Sequence, residues 1–291
     1  MPKWLRSNRL GVCLIWLLIL AGWEAAYREI GWRPWIFPAP SHLMSSTANM
    51  MGVPLHLGDP VTPNWPWRPA KKDDVPVTLS SLAKSPLAVA VATSWGRLAV
   101  GFSLSIIIGT FLGLAMWRYR FIDDMLGALL LGLQTLPSVC WVPVSIMVFG
   151  ITEAGMLFVL LMGSFPAVAT SLRDGMNATP PIYQSVGKVF GARGLSFYIY
   201  VMLPASLPVM IGSLRTGFSF AWRSLMGGEL IFVMARHGLG HLLSTGREFG
   251  DLSQVIAVII IMVLLGMLLD PVVFGRIDKR IRARYGLEGA N

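Results

Sequence analysis

Residues 252–274 read LSQVIAVIIIMVLLGMLLDPVVF, a run whose only charged side chain is Asp270. A helix needs about 20 predominantly apolar residues to cross a bilayer, and this run is long enough. Working outward from it, comparable blocks lie at 10–27, 98–117, 125–149, 154–171 and 207–235. Composition agrees: 54% of the residues are hydrophobic and 13% charged, whereas a soluble domain carries about 25% charged residues. The pattern predicts an all-α polytopic membrane protein with about six transmembrane helices, built as a single membrane domain over 1–291.

The formal net charge is +9. The basic residues cluster at the ends of apolar blocks and are not interleaved with exposed aromatics, which argues against a nucleic-acid module and fits the positive-inside rule. With the N-terminus inside, the inner segments hold Lys3, Arg6, Arg9, Arg118, Arg120, Arg173, Lys188, Arg193, Arg276, Lys279, Arg280, Arg282 and Arg284, thirteen of the 24 Lys and Arg. An even number of spans then places both termini in the cytoplasm. The first block reads as an uncleaved helix rather than a signal peptide, because further spans follow and Trp23, Trp32 and Trp35 form an interfacial belt. Cys13 and Cys140 fall in different blocks, so neither a disulfide framework nor a CxxC metal site is available. Residues 44–85 form a proline-rich outer insertion with Trp65, Trp67 and the run Lys71-Lys72-Asp73-Asp74, and so much proline leaves no helical or strand period.

Inside the apolar blocks, Gly101, Gly109 and Gly113 share one helical face and allow another helix to approach closely. Pro137, Pro143 and Pro166 are expected to interrupt their helices. Arg215, Arg223 and Glu229 are charges in the fifth block, and each asks for a partner or a purpose. Arg223 and Glu229 are separated by about 240° on a helix and do not share a face. Asp270, just before Pro271, is expected at the interface. His237 and His241 have a zinc-like spacing, but Gly238 and Gly240 argue against a helix there, and no metal is expected. No phosphate-binding loop, nucleophile elbow or HExxH motif is present, nor a set of acids arranged as a proton relay. The chain therefore has no energy source or cofactor of its own.

Between 178 and 198 the sequence turns polar and basic. A short helix here would leave Lys188 and Arg193 in water and offer Val186, Val189 and Phe190 to a cleft, as a rigid lever. Gly187, Gly191 and Gly194 would allow close backbone contact and a tight exit, and Leu203-Pro204 would fix the start of the next helix. Gly191 is followed after nine residues by Val201-Met202-Leu203-Pro204. This spacing resembles the cytoplasmic coupling loop of permease subunits of binding-protein-dependent ABC importers, in the branch serving nitrate, sulfonates and taurine. The family motif is Glu-Ala-Ala, three residues, Gly, nine residues, Ile-x-Leu-Pro. Here Ser185, Val186 and Gly187 replace Glu-Ala-Ala, a departure that removes any polar contact the glutamate would make. Further matches are the segments 37–41, 133–137 with 141–143, Phe149-Gly150, and 221–224 with Glu229.

The resemblance implies an inner-membrane permease that forms a homodimer. It also implies separate ATPase subunits that bind the ATP and dock at Ser185, Val186, Gly187, Lys188, Phe190, Gly191, Val201, Leu203 and Pro204, and a periplasmic binding protein that delivers a small anion. Gln134, Pro137, Trp141, Arg223 and Glu229 are the candidate pathway residues. Two other classes compete: an ion-coupled carrier, and a membrane enzyme using Arg215 and Arg223 as phosphate ligands. Both call for more intramembrane acids than the spans offer.

Overall fold

The computed structural model describes residues 4–32, 36–53, 79–232 and 237–275, which are helical or irregular with no strand among them. In chain order the helices are α1 (Trp4–Ile30), α2 (Pro40–Met50), α3 (Leu79–Ala83), α4 (Pro86–Arg118), α5 (Arg120–Thr135), α6 (Val142–Phe149), α7 (Glu153–Asn177), α8 (Pro181–Val189), α9 (Gly194–Phe197), α10 (Leu203–Ile231), α11 (Leu239–Glu248) and α12 (Leu252–Val273). A 3-10 turn, Ser138–Trp141, leads into α6, and a π turn, Tyr198–Met202, leads into α10. Residues 54–78 of the proline-rich insertion, Trp35, Arg236 and the basic run 276–284 lie outside the described residues.

By length and composition α4, α7 and α12 can each cross a membrane, and α5 with Ser138–Phe149 forms a bent pair that passes the same test. The two limbs of that pair meet at 101°, so the block 125–149, expected as one span, is broken. Leu136 leaves the helix in an extended conformation, φ −78° and ψ 124°, because the ring of Pro137 excludes the helical region for the residue before it. Pro143 sits in the first turn of α6, where its missing N–H has no helical partner in any case. Pro166 does not interrupt its helix: α7 runs through it, and Thr170 Oγ1 donates to Pro166 O at 3.0 Å.

The chain forms two compact units, residues 1–92 with 237–262 and residues 93–236 with 263–291. In the first, Ser41 N and Oγ both donate to the Glu24 carboxylate at 3.2 Å, and Trp23 and Trp32 pack on Phe37. Those contacts hold the 37–41 turn against the C-terminal end of α1. Gln254 Nε2 donates to Leu242 O at 2.7 Å and ties α12 to α11.

The second unit is organised around α7. Lipid gives helices no hydrophobic drive to associate, so close packing has to hold them. A methyl group added to Gly101, Gly109 or Gly113 of α4 would come within 2.7 Å of Leu160, 2.7 Å of Val168 or 2.6 Å of Ala169 O, all on α7. The expected small-residue face therefore meets α7. On the other side Gly217 and Gly228 of α10 press on Val168 and Met156, while Gly163 and Gly175 of α7 receive Ser224 and Val209. Met156, Val159, Leu160, Val168, Phe218, Ala221 and Leu225 form the core between them. At the other end of α7, Arg173 Nη1 lies 2.7 Å from Asp123 Oδ1 and fixes the start of α5.

Candidate functional site

Pro180 and Pro181 end the excursion from α7 and start α8, with Pro181 in its first turn. The helix closes on Gly191, whose φ of +75° is left-handed. Gly191 N donates to Lys188 O and Ala192 N to Gly187 O, both at 3.0 Å, the paired bonds of a Schellman cap. Nothing lies within 4 Å of a Cβ built at Gly191 or Gly194. Their glycines are thus conformational, and the close contact expected of them belongs to Gly187 alone. A Cβ at Gly187 would stand 2.9 Å from Val201 Cγ1 and 3.1 Å from Phe197 Cε2.

Val201 sits in the π turn. Pro204, in the first turn of α10, has no N–H for Tyr200 O, so the i−4 ladder cannot run unbroken here and its register shifts. The next residue in that turn, Met202, is fully buried against Leu172 and Met176 of α7, with Phe197, Leu114 and Trp117 around it. A continuous packed path therefore runs from Gly187 through Val201 and Met202 into α7. The side chain of Leu203 lies outside the described residues.

Gly187 is buried, whereas Ser185, Val186, Lys188, Val189 and Phe190 are exposed. Ile182, Tyr183, Val186, Val189 and Phe190 occupy an arc of about 120° on the helix, and Val189 and Phe190 are each 84% exposed. A nine-residue helix thus presents a continuous apolar stripe outward and seats itself through one glycine.

A second polar centre was not anticipated. Arg97 of α4, 7% exposed, donates through Nε and Nη2 to both oxygens of Glu153 at 2.8 and 2.7 Å, and through Nη1 to Glu229 Oε1 at 2.8 Å. Ser94 Oγ lies 2.9 and 2.7 Å from the two Glu229 oxygens. Glu229, 2% exposed, is therefore a counter-ion of Arg97. Two carboxylates, Glu229 of α10 and Glu153 at the start of α7, converge on one arginine here. The need to compensate charge was the available signal: Arg97 and Glu229 each lie in or beside an apolar block, and each requires a partner. Asp270, expected at the interface, is half-exposed and lies 2.7 Å from Arg215 Nε as an ion pair without hydrogen-bond alignment.

Of the other pathway residues, Gln134 Nε2 donates to Thr170 Oγ1 at 2.9 Å, just before the break at Pro137. Trp141 stacks edge-on to Phe158, and its buried Nε1 has no partner among the described residues. Ser138 of the turn and Ser224 of α10 both close on Gly163 of α7, and Val139 lies against Gly227 of α10. Arg223 is exposed on α10. His237 and His241 stack at 3.9 Å, but α11 begins only at Leu239, with Gly240 inside it. Among the described residues no group of three metal-ligating side chains exists.

Residues 105–283 match the family described as binding-protein-dependent transport system inner membrane component. An ABC transporter permease protein of Methanocaldococcus jannaschii is 30% identical over 174 residues, covering 60% of this chain and 65% of that one. The nitrate import permease protein NrtB of Synechocystis is 24% identical, covering 63% and 66%. The bicarbonate transport system permease protein CmpB of Synechococcus elongatus is 25% identical, covering 60% and 62%. The matches thus span somewhat under two thirds of these relatives. Among solved structures, the fold is similar to that of a chain of the MetNI methionine ABC transporter in an inward-facing conformation. The TM-score is 0.57 at 17% identity, covering 67% of this chain and 95% of that one. With more than half of its length inside the family match and the fold shared with a transporter chain, this protein belongs to the inner-membrane components of binding-protein-dependent transport systems.

Proposed function

We propose that the chain is the permease subunit of an ATP-driven importer, working as a homodimer with two ATP-binding subunits against its α8 helices and a solute-binding protein at the opposite face. The cargo is a small anion of the kind named for the nitrate and bicarbonate relatives. Six spans with both termini in the cytoplasm put α8 on the cytoplasmic side. ATP is bound and hydrolysed by the partner, and this chain makes and breaks no covalent bond.

The observation that carries the reading is the exposed apolar stripe of α8, joined by packed side chains to α7. An isolated nine-residue helix is marginal in water, and an apolar face with no cover is a docking surface. Loss of the family's glutamate at Ser185 leaves that docking to apolar contact, with Lys188 and Arg193 at its rim. Motion of the partner would pass from Gly187 to Val201, Met202 and α7.

The test is a mild-detergent affinity purification of the tagged chain, with mass spectrometry and an ATPase assay of what accompanies it. An ATP-binding subunit in about equal amount, lost when residues 187–204 are altered, supports the reading. A chain that purifies alone and moves nitrate in vesicles without ATP overturns it in favour of a carrier.

A further inference from the structure

We propose that Arg223, with Ser219 and Thr216 before it on α10, is the contact that selects an anionic substrate along this helix. The inference rests on the permease reading and assigns the residues of its selective step.

Besides Arg118 at the last position of α4, three arginines lie in α4 and α10, and two of them are engaged by carboxylates. Arg97 binds Glu153 and Glu229, and Arg215 lies 2.7 Å from Asp270. Arg223 differs. Its Nε donates to Ser219 O at 3.3 Å and its guanidinium lies over the Phe220 ring at 4.5 Å. No carboxylate reaches it among the described residues, and a guanidinium carries five N–H donors.

Arg223 lies about 12 Å of helix rise from Ile231 and about 30 Å from Leu203. Within a membrane span an arginine without a carboxylate is stable where it faces a water-filled cavity or an anion.

The face around it fits the second partner. Gly212, Thr216, Ser219 and Arg223 are all exposed and follow one another at helical spacing, while Gly217, Phe218, Ala221 and Leu225 are buried. Ser219 Oγ donates to Arg215 O at 3.2 Å and Thr216 Oγ1 to Gly212 O at 3.1 Å. Each hydroxyl can exchange that bond for an oxyanion. The planar guanidinium matches two oxygens of nitrate, bicarbonate or a sulfonate. Glu229, the acid on the same helix, is held by Arg97 and does not compete.

The experiment uses the assembled transporter in proteoliposomes, with nitrate, bicarbonate and ethanesulfonate as probes, carrying Arg223→Cys on a Cys13→Ser, Cys140→Ser background. Unmodified Arg223→Cys should lower ATP-dependent anion uptake by about tenfold or more, the scale of a lost charge-assisted hydrogen bond. A cationic methanethiosulfonate reagent added after assembly should restore a large part of it, and an anionic or neutral one should not. Because the three reagents act on the same folded protein, a general loss of stability cannot produce that order. Equal uptake after all three, or an Arg223→Cys complex that falls apart into single permease chains, would overturn the assignment. A parent complex that takes up none of the three anions by ATP would instead sink the permease reading, and this assignment with it.

Discussion

The α8 segment and the Arg97 cluster break the same rule in opposite directions. In α8 apolar side chains face outward, and at Arg97 charged side chains lie inside. The charges are finished: every oxygen of Glu229 and Glu153 has a donor from Arg97 or Ser94. The stripe is unfinished, since Val189 and Phe190 are each 84% exposed. A buried charge completed within one chain is a structural element, whereas an apolar face held outside the bilayer calls for a partner to cover it. The two regions should therefore respond to mutation through different observables.

The largest effect is expected at the cluster. Arg97→Ala leaves Glu229 buried without its cation and should destabilise the chain by about 3–5 kcal/mol, read as earlier unfolding in detergent. Replacing Arg97 with Met and Glu229 with Leu together should recover much of that loss, since a packed apolar pair often substitutes for a buried ion pair. At α8 the reverse holds. Phe190→Ala or Val189→Ala should leave detergent stability unchanged and weaken association with the ATP-binding subunit by about 2 kcal/mol or more, as buried aromatic and apolar anchors do. Copurification yield is the readout.

Gly187→Val lies between the two. Its side chain would collide with Val201 and Phe197 and unseat the helix at a cost of about 1–3 kcal/mol, so stability and copurification should fall together. Gly191→Ala should cost about 1 kcal/mol, through the left-handed backbone alone. The smallest effect concerns Asp251, a half-buried acid in the first unit. Burial pushes its carboxyl above the usual range, although the backbone N–H groups of Gln254 and Ser253 donate to it and His42 is near. Its folded form favours the proton, so its contribution is present below the unfolded value and lost as pH rises through the folded one. Asp251→Asn should flatten that part of the unfolding profile measured against pH.

Much of this architecture was legible in the sequence because each signal was local. Apolar run length located α4, α7 and α12, the glycine spacing in α4 named a close-packed face, and Leu203-Pro204 marked the start of α10. The position of Gly191 gave the end of α8, though the reason is its φ and not proximity. What escaped was long-range. Arg97 and Glu229 are 132 residues apart, and Arg215 and Asp270 lie on different helices, so only the fold pairs them. The break at 136–137 was visible as a proline, but its 101° bend depends on two limbs that each pack separately. Pro166 failed to interrupt α7 because α4 and α10 clamp that helix from both sides.

The central claim is that an ATP-binding subunit covers the apolar stripe of α8. The most direct measurement is the maleimide labelling rate of Phe190→Cys, on the Cys13→Ser, Cys140→Ser background, in the purified chain and in the chain coexpressed with its ATP-binding subunit. The account predicts rapid labelling alone and strong protection in the complex, while a cysteine at the exposed position of Leu131 labels equally in both. Equal labelling of Phe190→Cys in both preparations would contradict it.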